Sequence, residues 1–186
     1  MTKVGLLGDS IREIGYGIKV PELCKNEFEI WQPADNCRFA LYTLRGLFEW
    51  AGQMKGCEII HWNNGLWDGC DLFGDGPFTP LDDYVDTMLR IAKILQTRAK
   101  KVIFATTTPV HPENVFNRND VIEQYNHAVV PKLREIGVEI NDLYSLVSAD
   151  IPRFIREDDK IHLTDAGIDV CAKAVLDSIR AANAEL

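Results

Sequence analysis

Three apolar runs set the frame of this chain: Lys3-Val4-Gly5-Leu6-Leu7, Cys57-Glu58-Ile59-Ile60-His61-Trp62-Asn63 and Lys101-Val102-Ile103-Phe104-Ala105-Thr106. Each is short, rich in β-branched and aromatic residues, and followed by a loop or turn. That is the pattern of strands buried on both faces of a parallel sheet. Between and after them, apolar residues return at helical spacing. Residues 39–53 carry Leu41, Leu44, Leu47, Phe48 and Ala51 on this period, and residues 80–99 carry Tyr84, Met88, Ile91, Ala92 and Leu95. Residues 120–136 repeat it before Gly137, and Thr164 is placed to cap a last helix running to about Ala182. Shorter strands are expected at 28–31, ahead of Pro33, and at 138–141. Residues 11–26, broken by Gly15, Gly17 and Pro21, read as a helical turn and loop; 143–147 read as a helical turn and 148–160 as a polar loop. Strands alternating with long crossovers predict a three-layer α/β/α sandwich around a five-stranded, mostly parallel sheet. No repeat or linker divides the chain, so a single domain over residues 1–186 is expected.

The composition narrows the partners. Twenty basic residues against 28 acidic ones give a net charge of −8, with no basic run to neutralise phosphates. Nucleic acid and anionic membrane surfaces are therefore not expected as main partners. The five cysteines are scattered, with no C-x-x-C pair, so neither a structural zinc site nor a disulfide framework is implied. No charged segment followed by a cleavable apolar one precedes the first strand, and no apolar stretch approaches the ~20 residues that span a bilayer. A reducing, cytoplasmic setting is the expectation.

Two motifs carry chemistry. The first strand breaks into Gly8-Asp9-Ser10, which delivers a hydroxyl to the carboxyl edge of the sheet, where α/β folds bind their ligands. Far downstream, Asp159-Lys160-Ile161-His162 precedes the last helix. An Asp three residues before a His can orient one imidazole nitrogen and leave the other to face a nucleophile. Taken singly, the first motif is a helix cap and the second a solvated acidic loop.

Together they resemble the SGNH, or GDSL-type, hydrolase superfamily, with its N-terminal G-D-S block, C-terminal D-x-x-H block and flavodoxin-like fold. The resemblance covers nearly the whole chain. It implies that Ser10 is the nucleophile, His162 the general base and Asp159 the residue that orients it. The G-x-S-x-G elbow of ordinary α/β-hydrolases is absent. The middle blocks depart from the family pattern. Asn36-Cys37-Arg38-Phe39-Ala40-Leu41 stands where the family keeps a glycine whose N–H serves the oxyanion hole, so Ala40 or Leu41 is the expected backbone donor. Gly65-Leu66-Trp67-Asp68 replaces G-x-N-D, and Trp67 can donate through its indole N–H or act as a wall. This variant also resembles a branch of the superfamily with a G-L-W/H-D third block. Asn63 and Asn64 end the third strand, and either amide can replace the lost donor; strand alternation favours Asn63. Asp9 completes the first block. His61 reads as a packed strand residue and His111 as a loop residue near the pocket.

The reading is a serine esterase that cleaves small carboxylic esters through an acyl-serine, with no metal or organic cofactor. Carbohydrate O-deacetylation is the first substrate expectation, with aromatics of the glycine-rich loop and Asp68, Asp71 and Asp75 offered to sugar hydroxyls. Lysophospholipid or thioester hydrolysis is the alternative chemistry. A non-catalytic binding module on the same fold is the rival class. A phosphate-cradling reading of the first turn lacks its lysine and glycine fingerprint. Oligomeric state is left open.

Overall fold

The computed structural model describes residues 1–186. Its centre is a sheet of β1 (Thr2–Leu7), β2 (Phe28–Trp31), β3 (Cys57–Trp62), β4 (Lys101–Ala105) and β5 (Glu139–Asn141). The spatial order is β2-β1-β3-β4-β5 and every pairing is parallel. Parallel neighbours need crossovers, and the chain supplies them as helices: α1 (Gly17–Leu23), α2 (Ala40–Glu49), α3 (Leu81–Gln96), α4 (Asn119–Glu135), α5 (Leu143–Ser148), α6 (Ile151–Phe154) and α7 (Asp165–Ala184). No helix is long and apolar enough to cross a membrane.

Strand alternation divides the core in two. Val4, Leu6, Ile59, Ile103 and Ala105 face α7, α1 and the short helices α5 and α6. Leu7, Ile60, Trp62, Val102 and Phe104 face α2, α3 and α4. Both faces of the central strands are thus covered, which is why their sequences are apolar on both alternations.

Two segments, one expected as a helical turn and loop and the other as a polar loop, carry more helix than expected, each for a local reason. After Ser10 the chain makes a π-helical turn, Arg12–Tyr16, kinked at Gly15 (φ −117°, ψ −119°), and continues directly into α1. Pro21 lies inside α1 and has no N–H for the carbonyl of Gly17; the Gln32 side-chain amide donates to that carbonyl instead, at 2.8 Å. Within the stretch read as a polar loop, Asp150 caps α6 by accepting from the Arg153 N–H, with Pro152 in the first turn.

His61 is fully buried on the α7 face of β3. Asn141 donates its amide to Nε2 at 3.1 Å, so the proton resides on Nδ1, which has no hydrogen-bond partner. Burial pushes the imidazole down to about 3. The unfolded chain therefore binds a proton between the ordinary imidazole range, ~6.5, and about 3, while the folded chain does not. Stability from this group is present at neutral pH and lost as pH falls through that window. Buried carboxyls with raised values act in the opposite sense, so a variant must isolate the effect. Urea unfolding of wild type and His61→Gln at several pH values should show wild type losing stability relative to the variant below pH ~6.5, by up to about 1.4 kcal/mol per pH unit. A difference that stays constant with pH would refute the assignment.

Candidate active site

A parallel sheet of order 2-1-3-4-5 opens a crevice between β1 and β3, because the connections from those strands leave in opposite directions. Ser10 stands at the β1 side of that crevice, and Asn63, Asn64 and the loop carrying Trp67 at the β3 side. The Ser10 turn is held from within. The Asp9 carbonyl accepts from the N–H groups of Arg12 and Glu13 at 3.1 and 3.0 Å, and its carboxylate accepts from the Ile11 N–H at 3.0 Å. The buried Arg12 guanidinium donates to the carbonyls of Gly8, Pro33 and Asp35 at 3.1, 3.1 and 2.7 Å. It thereby ties the loop after β2 to the end of β1. Burial raises the Asp9 carboxyl above its ordinary range, against the opposing pull of Asn63, the Ile11 N–H and Arg12.

His162 reaches Ser10 from the other end of the chain. Ile155 and Leu163 form an isolated antiparallel bridge, and the Arg156 N–H donates to the His162 carbonyl at 2.8 Å. The resulting tight loop carries Lys160 in the left-handed region, at φ +65°. Inside it, Asp159 Oδ1 accepts from the backbone N–H groups of Ile161 and His162 at 3.0 and 2.9 Å. Asp159 Oδ2 lies 2.9 Å from His162 Nδ1, and His162 Nε2 lies 2.8 Å from Ser10 Oγ. An ionised carboxylate only accepts, so Nδ1 carries the proton and the Nε2 lone pair faces the hydroxyl. Partial burial alone would raise the Asp159 carboxyl, but the two backbone N–H groups and the imidazole hold it at about 2. Thr164 then caps α7 by accepting from the Gly167 N–H at 3.1 Å, which anchors the loop to the last helix.

A cavity of about 420 Å³ opens from Ser10 and His162, lined mainly by Phe39, Leu66, Trp67, Phe78, Phe116 and Ile161. Asn117 is the one amide in its lining, and it donates to the Leu66 carbonyl at 2.7 Å. The segment 106–118, which lines the cavity through Phe116 and Asn117, is fastened at two points. Asp71 N–H donates to the Phe116 carbonyl at 2.8 Å, and the His111 N–H donates to the Lys160 carbonyl at 3.0 Å. His111 itself does not line the cavity; its Nε2 lies 3.3 Å from Glu157.

The expected oxyanion donors separate. The Ala40 N–H, the first of α2, donates to both oxygens of Asp68 at 3.1 and 3.0 Å, so it is not free to serve. Leu41 is half-exposed and lines a neighbouring groove without Ser10. The glycine-like conformation sits instead at Arg38, with φ +48°, held by Asn36 Oδ1 accepting from its N–H at 2.7 Å. Asn63 packs its amide against Gly8 and accepts from the buried Tyr16 hydroxyl at 2.7 Å. Asn64 donates to the Arg38 carbonyl at 2.8 Å, while its own carbonyl accepts from Tyr84 and Thr107. Neither asparagine lines the cavity, whereas Trp67, 43% exposed, does. Asp68, expected at a sugar, is fully buried and accepts from Thr79 at 2.8 Å; burial pushes its carboxyl up to about 6. Asp71 closes a turn by accepting from the Gly74 N–H at 2.7 Å. Arg12, Tyr16, Arg38 and Asn117 escaped the sequence reading. Only Asn36 two residues before Arg38 signals its turn in advance.

No protein-family model matches the chain. The GDSL esterase/lipase CPRD49 of Arabidopsis thaliana is 32% identical over 123 residues, covering 59% of this chain and 48% of that protein. The GDSL esterase/lipase WDL1 of Oryza sativa subsp. japonica is 25% identical over 123 residues, covering 55% of this chain and 45% of its own length. The alignments thus span about half the length of these curated relatives. Among solved structures, the acetyl xylan esterase AlAXEase superposes with a TM-score of 0.80 at 18% identity, covering 95% of this chain and 99% of that one. A lipase/acylhydrolase from Enterococcus faecalis gives 0.80 at 14% identity, covering 97% and 96%. At these identities the structural likeness speaks for the fold.

Gly8 tests how tightly the turn is built. A Cβ there would lie 2.0 Å from Asn63 Oδ1 and 2.8 Å from the Arg12 Cβ, and Tyr16 prevents the amide from turning away. Gly8→Ala should destabilise the fold by roughly 1–3 kcal/mol, as overpacking does. It should also slow labelling of Ser10 by a fluorophosphonate. Wild-type melting and labelling in the variant would show that the turn has slack.

Proposed function

We propose that the chain is a member of the SGNH/GDSL-type hydrolase superfamily and a serine esterase cleaving small carboxylic esters. The observation that carries this reading is the in-line contact of Asp159, His162 and Ser10, at 2.9 and 2.8 Å, between residues 152 positions apart in sequence. Ser10 Oγ attacks the ester carbonyl while His162 Nε2 takes its proton. The tetrahedral intermediate collapses as His162 returns the proton to the alcohol oxygen, leaving an acyl-Ser10. Water, deprotonated by the same nitrogen, then releases the acid and restores the serine. Asp159, ionised at every pH well above about 2, holds the imidazole in the required tautomer and faces its positive charge. The fold shared with acetyl xylan esterases supports carbohydrate O-acetyl esters as the first substrates to assay. Cys24, Cys37, Cys57 and Cys171, buried as free thiols, support a reducing compartment, which we take to be the cytoplasm.

For the oxyanion we assign the Ser10 N–H and the Trp67 indole N–H. The Ser10 N–H belongs to the first helical residue after β1, where a helix offers its own N–H groups no carbonyl partner. The N–H groups of Asn64 and Ala40 are committed to Arg38 and Asp68, and Asn63, whose amide oxygen accepts from Tyr16, does not line the cavity; Trp67 alone of these lines it. Preorganised donors act mainly on the transition state.

Two experiments test this reading. Ser10→Ala and His162→Ala should each abolish fluorophosphonate labelling and the burst of nitrophenol from a nitrophenyl ester, with losses that do not add in the double variant. Undiminished turnover by Ser10→Ala would remove the nucleophile from the scheme, and a chain that binds esters without turnover would be a binding module. Separately, Trp67→Phe should lower kcat on the order of 10²–10³ with little change in KM, and Trp67→Asn should recover much of it. If Asn63→Ala takes that loss and Trp67→Phe does not, the donor is the asparagine.

A further inference from the structure

Ser10 and His162 sit between two unlike spaces. On the side of the loop after β3 is the apolar cavity of about 420 Å³, where Asn117 is the one amide beside Phe39, Leu66, Trp67, Leu72, Phe78 and Phe116. On the other side is a groove of about 390 Å³ with a mixed lining that includes Arg156, Thr164, Asp165 and Gly15. A ligand rich in hydroxyls would leave most of them without partners in the first space, and unpaired buried hydroxyls are costly. Its volume lies within the range of sites that enclose drug-sized ligands, far more than an acetyl group fills.

The chemistry decides which half of an ester goes where. His162 must hand its proton to the leaving oxygen, and it borders both spaces, with Ile161 on the cavity and Leu163, Thr164 and Asp165 on the groove; a polar alcohol finds most of its hydrogen-bond partners on the groove side. The carbonyl oxygen must point to the donors near Trp67, and the acyl chain continues from that carbon into the cavity that Trp67 lines.

Resting on the esterase reading above, we infer that this site is divided: the cavity takes an apolar acyl chain longer than acetyl, and the groove takes a polar alcohol. The substrate class is a medium-chain ester of a hydrophilic alcohol, which keeps the alcohol of a carbohydrate acetate and lengthens its acyl group. Phe116, Trp67 and Phe78 are each more than two-fifths exposed at the cavity, so a chain can enter without a wall opening.

The test uses nitrophenyl acetate, butyrate, hexanoate and octanoate with the whole chain, and parallel series of glycerol and hexyl monoesters of one acid. Burial of each methylene should raise kcat/KM about fourfold until the cavity is full. Glycerol esters should be cleaved faster than hexyl esters of the same acid. Leu72→Trp, which narrows the cavity from its half-exposed rim, should lower the ratio of hexanoate to acetate turnover. A rate that is flat or falls with acyl length, while Ser10 still labels with a fluorophosphonate, would overturn the division and leave the esterase reading standing. Absence of both labelling and turnover would overturn both.

Discussion

The strand order is the constraint from which the site follows. A parallel sheet cannot be closed by hairpins, so each strand must be followed by a crossover on one face or the other. With β1 second from the edge and β3 beside it, the first crossover leaves toward β2 and the third toward β4. Their diverging turns cannot pack on each other, and a crevice is left at the carboxyl end of the sheet. Ser10 and the Trp67 loop occupy its two lips because they lie in the segments that follow β1 and β3. Helix α7, packed on the opposite core face from α2, α3 and α4, brings its N-terminal loop back to that edge, and His162 with it.

The crevice is stiffened by polar groups that lie under it. Arg12 is a buried cation whose main ties are to carbonyl oxygens, and its charge also draws against Asp9. Such a group is costly to desolvate and is tolerated when its donors are matched; here Nη1 and Nη2 find carbonyl partners while Nε has none. Here the match joins three separate segments, the end of β1, the loop after β2 and the turn after Ser10. Asp68 plays the corresponding part on the other lip, where one carboxylate holds the start of α2 and Thr79 together. Both sides of the serine are therefore set by interactions that do not touch the space where a substrate would lie.

Much of this was legible in the residues. The five strands and the long helices α2, α3, α4 and α7 announce themselves by period, because burial of one or both faces dictates where apolar side chains fall. The Ser10 and His162 blocks were legible because each needs particular residue types at fixed spacing. The donors around them were not, because a backbone N–H leaves no mark in a sequence and an amide can be spent on another partner. The amide oxygen of Asn63 is held by Tyr16, a residue in a π-helical turn that no periodicity indicates, and the side chain does not line the cavity. Ala40 looked available until Asp68 folded back onto it. Arg38 holds a positive φ that glycine would have advertised, and only the contact with Asn36 explains how arginine holds it.

The segment 106–118 does more than line the cavity through Phe116 and Asn117. At one end Asn117 and Phe116 grip the loop that carries Leu66 and Asp71, and at the other His111 grips the carbonyl of Lys160. Lys160 is the residue next to Asp159 and holds a left-handed backbone angle in the turn that presents His162. One covalent segment thus borders the cavity through Phe116 and Asn117 and, a few residues earlier, supports the turn on which the imidazole stands.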